Sequence, residues 1–329
     1  MRVGVTSKGR LMSKADTKDS VETSAPHPRR PRIGLALGAG SARGWTHIGV
    51  IQALREAGIE PDIVTGTSIG ALVGAMYAMN RLEEFGDWVM QLRWRDVAGF
   101  FDISLVGGFI EGKKLFDFFR QHYPDTAIEA LQKPFIAVAT RLDNGHEVWL
   151  REGSVLDAAR ASVAVPGFFT PFYHQGHWLV DGGLVNPVPV SVCRVLGADL
   201  IIAVSPSSRP HLPLKPAAQQ ADADAKDDAK DPSGLAAKIT RMMRQGAATL
   251  SGRIKSGTPS LFEVVGDSLE IMQSRVMRSR MAGEPPDIFL QPQVPDIGFL
   301  EFHRGREAIE AGRCVVKDNL QQLEALRLD

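Results

Sequence analysis

Between residues 33 and 80 the chain passes twice through the same change, from a short apolar run to a glycine-bearing turn to a helix-spaced segment. IGLALG, 33–38, suits a buried strand. SARGWTHIGVIQALREAG, 41–58, follows, with Trp45, Ile48, Ile51 and Leu54 on one stripe and Gly58 as a helix stop. DIVT, 62–65, is a second short strand, and SIGALVGAMYAMNR a second helix. Strand, helix, strand, helix at this spacing predicts parallel α/β architecture, because a parallel strand is reached only through a crossover.

The rest of the chain continues in kind. LFDFFRQHY, 115–123, has helical spacing. FIAVATRLD, 135–143, and HEVWLREG, 146–153, are strands joined by the hairpin signal Asn144-Gly145. VLDAARASVAV, 155–165, is a helix ending before Pro166. HWLVDGG, 177–183, is a strand running into a glycine turn, and ADLIIAVSPS, 198–207, another buried strand. SLEIMQSRVMRSRM, 268–281, predicts a helix, DIFLQPQV a late strand, and GREAIEAG, 305–312, a last helix with a glycine stop. Residues 1–31, polar and carrying Pro26, Pro28 and Pro31, are expected to be a disordered arm before a single domain, 32–329. Within that domain 211–234, rich in Ala, Asp, Lys and Pro, is expected to be a mobile insertion. The mildly amphipathic 235–254 is either a helix covering the core or a lid facing a membrane. There is no internal repeat.

Bulk properties narrow the function classes. The 38 basic and 38 acidic side chains cancel, so no global field draws the chain to nucleic acid. Cys193 and Cys314 form no CxxC, which argues against a disulfide scaffold and a thiolate zinc site. The N-terminal stretch lacks the apolar core of a signal peptide, and no run of 18 apolar residues occurs. The expectation is a cytoplasmic protein, with peripheral membrane contact left open and the oligomeric state unassigned.

Three short patterns carry chemistry. GTSIG, 66–70, fits G-x-S-x-G between a strand and a helix, the setting of a nucleophile elbow at Ser68. The competing reading is that Gly66, Gly70 and Gly74 permit close helix packing. LGAGSARG, 37–44, lies where a strand gives way to a helix, so its amides can gather around an anion. It lacks the lysine and Ser/Thr of a phosphate loop, and Arg43 stands where a dinucleotide fingerprint needs glycine, so no cofactor is indicated. The same amides could hold the oxyanion of an attacked ester. Arg43 would brace that loop or meet a phosphate head group. Asp181 ends an apolar strand before Gly182-Gly183, where α/β proteins place chemistry. Eight histidines are available as bases: His27, His47, His122, His146, His174, His177, His211 and His303. None has a distinctive setting.

GAGSARG, GTSIG and DGG, in that order and spacing, resemble the patatin-like phospholipase family, and ASVAVPGFFTP, 161–171, is similar to a stretch of its bacterial members. The resemblance covers 32–206 well and 255–315 more loosely. It implies a three-layer α/β/α fold with a mostly parallel central sheet and a Ser–Asp dyad in place of a triad. Carried over, Ser68 is the nucleophile and Asp181 its partner. The backbone of Gly38, Ala39 and Gly40 forms the oxyanion hole, and Arg43, Gly66, Gly70 and Gly182 support the site. Many members have glycine where this chain has Ala39, so a positive φ there would cost about 1 kcal/mol or more. The implied activity is hydrolysis of carboxylic esters in phospholipids or lysophospholipids, without metal or cofactor. The alternatives are a general carboxylesterase or thioesterase, an α/β-hydrolase with a histidine triad, and a non-catalytic lipid-binding or regulatory protein. Phe-rich 108–119 and 165–173 are candidate lipid-lining segments or plain core.

Overall fold

Period-two alternation in the first strand already divides the molecule into layers. Ile33, Leu35 and Leu37 point into one apolar cluster and Ala36 into another, and all five strand residues are buried. A strand buried on both faces needs helices on both sides. A computed structural model describes residues 30–100, 112–207 and 261–325.

Numbered in chain order, the strands are β1 (Ile33–Leu37), β2 (Ile63–Thr67), β3 (Phe135–Arg141), β4 (Glu147–Leu150), β5 (Phe172–His174), β6 (His177–Asp181), β7 (Leu200–Val204) and β8 (Ile288–Leu290). They form one sheet in the order β5-β6-β3-β2-β1-β7-β8, with β4 also on β3. β3, β2, β1, β7 and β8 are mutually parallel, and β4, β5 and β6 add antiparallel pairs at one side. The helices are α1 (Thr46–Glu56), α2 (Ile69–Ala78), α3 (Leu82–Gln91), α4 (Trp94–Phe100), α5 (Lys113–His122), α6 (Val155–Ser162), α7 (Val190–Val195), α8 (Leu261–Gly283), α9 (Gly305–Asp318) and α10 (Leu320–Ala325). One face of the sheet is covered by α1, α2, α3, α5, α6 and α9, the other by α7 and part of α8. The fold is therefore α/β/α, with a mixed central sheet whose core is parallel.

The expected strands are present, most with trimmed ends, while β2 runs two residues further than DIVT, to Thr67; Gly58 does follow α1, at φ 72°. Several helix boundaries differ from the sequence reading: α8 begins at Leu261 and not at 268, and two further differences bear on packing. α6 ends at Ser162, and the chain turns at Val163–Val165 before reaching Pro166. Gly312 is not a stop: α9 runs on to Asp318, and a Cβ at Gly312 would lie 2.0 Å from Thr46 O of α1. A Cβ at Gly49 of α1 would lie 1.8 Å from Ile309 O of α9. The two glycines set how closely these helices cross.

Phe116, Phe119 and Phe168 of the Phe-rich segments serve the core, whereas Tyr173 at the end of 165–173 is exposed. Phe116 and Phe119 are fully buried around Phe85, and Phe168 packs on Phe299 with ring centroids 4.9 Å apart. Each such ring is worth about 2–3 kcal/mol of apolar burial. The expectations for an arm at 1–31, an insertion at 211–234 and a helix at 235–254 fall on residues outside the described ones, apart from 30 and 31, as do the first residues of 108–119. Among the described residues no helix is long and apolar enough to cross a membrane.

Candidate active site

One edge of β3 assembles the site. Val138 pairs with Thr67 of β2 and with Trp149 of β4, so β2 and β4 occupy opposite edges. Ala139 pairs with Val148 of β4 and Asp181 of β6, so β6 shares the edge of β2. β2 runs parallel to β3 and stops at Thr67; β6 runs antiparallel and stops at Asp181. Their C-terminal ends therefore meet over the step from Val138 to Ala139. Ser68, the next residue after Thr67, falls against Asp181, although 113 positions separate them.

Ser68 is the N-cap of α2, with φ 57° and ψ −127°. An L-residue held there costs about 1–3 kcal/mol, which its surroundings must offset. Ser68 N donates to Ser162 Oγ at 2.8 Å, and that hydroxyl donates to Val138 O at 2.5 Å. Ser68 O accepts from Ala71 N and Leu72 N. A Cβ at Gly66 would stand 2.5 Å from Ala71 Cα, and one at Gly70 would stand 2.3 Å from Leu37 O. Gly66 thus lets the chain reverse, and Gly70 lets the start of α2 rest on the end of β1. Gly74, one turn further, packs against Val64 and Phe135.

Asp181 is 1% exposed and Ser68 4%. Ser68 Oγ donates to Asp181 Oδ2 at 2.5 Å, and Gly183 N donates to Asp181 Oδ1 at 2.6 Å. The backbone of Asp181 is fixed as well, by Thr140 Oγ1 at its carbonyl and Ala164 O at its amide. Burial pushes the Asp181 carboxyl up to about 7, against the hydrogen bonds from Ser68 and Gly183, which pull it down. It therefore exchanges its proton near neutrality. Gly182 has no room for a side chain, since a Cβ would lie 2.2 Å from Val138 O.

The glycine loop departs from expectation in detail. Gly38 N donates to Val204 O and Ala39 N to Pro187 O, both at 2.8 Å. These two amides are already engaged within the fold. Gly40 and Ser41 carry amides with no acceptor among the described residues. Ala39 is also free of the expected strain; the residue with positive φ is Ser41, at 50°, and its hydroxyl is tied to Phe299 O at 2.5 Å. Arg43 braces the loop: it is buried and its guanidinium meets Glu270 of α8 at 2.7 Å. Further along α8, Arg280 reaches Glu147 at 3.1 Å and Val185 O at 3.3 Å. The helix thus spans the strand ends from the glycine loop to β4.

No hydrogen bond joins Ser68 to a histidine among the described residues; His27 and His211 lie outside them. His47 holds Gly38 O through Nε2 at 2.7 Å, and a carbonyl only accepts, so Nε2 carries the proton. Burial pushes its pKa down to about 4, which keeps the ring neutral. Its role is to anchor the end of β1. Sequence reasoning missed Ser162, Thr140 and Glu270. Ser162 lies inside the singled-out ASVAVPGFFTP stretch, so its segment carried a signal; Thr140 and Glu270 carried none.

The family profile described as "Patatin-like phospholipase" matches residues 35–194. An NTE family protein of Mycobacterium tuberculosis strain H37Rv is 34% identical, over 91% of this chain and 93% of its own length. Lysophospholipase nte1 of Emericella nidulans is 29% identical over 89% of this chain, which corresponds to 18% of that protein. Among solved structures, VipD from Legionella pneumophila superposes with a TM-score of 0.50 at 14% identity, covering 91% of this chain and 67% of that one. At that identity the likeness speaks to the fold.

Proposed function

The chain belongs to the patatin-like phospholipase family of lipid hydrolases, and from that premise we propose that it cleaves carboxylic esters of phospholipids or lysophospholipids through Ser68 and Asp181. The observation that carries this reading is the 2.5 Å contact between Ser68 Oγ and Asp181 Oδ2 at the meeting point of two strand ends. Ser68 Oγ attacks the ester carbonyl carbon and its proton passes to Asp181 Oδ2. The carbonyl oxygen becomes an oxyanion, held by the unengaged amides of Gly40 and Ser41 and by the first amide of α2, Ile69. Collapse breaks the ester C–O bond, and the departing alcohol takes the proton from Asp181. Water then attacks the acyl-serine, Asp181 accepts its proton, and collapse returns that proton to Ser68 Oγ with release of the fatty acid.

Two physical features support a carboxylate as base here. Its buried setting brings its pKa near working pH, so proton transfer from the serine is less uphill than to an exposed aspartate. The N-terminus of α2 places positive potential where the oxyanion forms. Lysophospholipid is among the candidate substrates partly because a relative carries that activity in its name. The test is incubation of purified protein with a total lipid extract, read by mass spectrometry. Release of free fatty acid with matching loss of a glycerophospholipid, absent in Ser68→Ala, is expected. Fatty-acid release by Ser68→Ala equal to wild type would overturn the assignment.

A further inference from the structure

The site end of the sheet carries an aromatic row that the hydrolysis chemistry does not use. β5 and β6 pair as a hairpin with Tyr173 opposite Trp178. Their rings stand 4.9 Å apart. Beyond β3, Leu142 N donates to Trp178 O, which extends the same cross-strand row by one residue. All three side chains are exposed: Leu142 by 55%, Tyr173 by 58% and Trp178 by 53%. β6 carries Asp181 at its other end, so Trp178 lies three residues, about 10 Å, beyond the dyad. The direction is outward, since β3 and β2 are parallel and the 142–146 tip continues past the C-terminal end of β3.

We infer that Leu142, Tyr173 and Trp178 form an interfacial anchor that seats the protein on a zwitterionic lipid surface, with the site end of the sheet facing the bilayer. The inference rests on the lipid-hydrolase reading above for its orientation. Trp and Tyr combine an apolar ring body with a polar edge and suit the headgroup level of a bilayer. The tips carry no net formal charge to select an anionic surface: in 141–146 and 172–178 the ionised groups are Arg141 and Asp143, paired at 2.5 Å, and the histidines are formally neutral. The turn itself, Gln175-Gly176, has positive φ at both residues, the tight hairpin geometry that keeps the two strands in register. Attachment thus depends on ring insertion and is insensitive to salt.

The test is flotation of the full chain with vesicles of diether phosphatidylcholine, which has no ester to cleave. Wild type is expected to float with the vesicles in 0.5 M salt, at about the level seen in low salt. The double variant Tyr173→Ser/Trp178→Ser is expected to bind at least about tenfold more weakly, with an unchanged melting temperature. Equal binding by the two proteins, or no binding by wild type, overturns the anchor. Binding confined to anionic vesicles and lost in salt also overturns it. So does light scattering that shows a wild-type dimer reduced to monomer by the substitutions, since the row would then be covered by a second copy. Binding is read without turnover, so failure of the hydrolase reading shows up separately, in the lipid-extract assay.

Discussion

In the proposed mechanism Asp181 is the residue on which the chemistry turns, and its burial gives that role a measurable signature. With a folded pKa near about 7, kcat/KM should fall about tenfold per pH unit below that value as the carboxylate protonates. Asp181→Asn should fold, lose most turnover and lose this acid limb. Stability moves in a defined direction too. The native state holds the Asp181 proton more tightly than the unfolded chain does, so the contribution of Asp181 is full below about pH 4 and is lost as pH rises through about 7. The melting temperature of Asp181→Asn should therefore gain on wild type as pH is raised across that window. A gap that narrows would contradict the burial argument. Ser68 and Asp181, which the fold brings into contact, both stood out in the sequence because each sits at a strand–turn junction with glycines beside it. The glycine loop was legible as a segment but not amide by amide. Which amide is free depends on Val204 O and Pro187 O, which come from distant parts of the chain. The strained position likewise fell at Ser41, where Phe299 O satisfies the hydroxyl, and not at Ala39.

At the scale of elements, most strands and helices announced themselves by apolar period and by their stops. Gly58 ends α1 by taking positive φ, with Gly58 N donating to Arg55 O and Ile59 N to Leu54 O. Gly312 looks the same in one dimension, yet α9 continues through it because its missing side chain admits Thr46 O of α1. The stop glycine takes a left-handed φ and the crossing glycine stays helical, and which occurs is decided by what lies opposite, which local sequence does not contain. The distinction is testable with paired substitutions. Gly312→Ala gains helix propensity but drives a Cβ to within 2.0 Å of a backbone oxygen, and should cost at least about 2 kcal/mol and lower the melting temperature by several degrees. Gly99→Ala in α4 meets nothing within 4 Å and should raise stability by up to about 1 kcal/mol. Equal shifts in the two variants would remove the crossing argument. α3, α4, α7, α10 and β5 escaped the sequence reading, although Leu82, Phe85 and Val89 of α3 keep helical spacing; four of the five are no longer than seven residues, too short to show a clear period.

For the molecule as a whole, the decisive fact is that β2 and β6 divide one edge of β3. The sequence contains both strand ends, but neither run of residues states which neighbour it pairs with or where pairing stops. That division places a serine and a carboxylate at a shared junction. α8 then ties the glycine loop to the sheet through Arg43–Glu270 and Arg280–Glu147. These ion pairs were illegible because an acid on a helix far along the chain carries no mark of its partner. In the proposed mechanism this junction makes Ser68 a nucleophile with Asp181 as its base. The most direct measurement is labelling of the purified protein with a fluorophosphonate, followed by peptide mapping of the adduct at several times. The account predicts a single phosphonylated residue, Ser68, formed much more slowly in Asp181→Asn. An adduct on another residue, or labelling of Ser68 at an undiminished rate in Asp181→Asn, would contradict it.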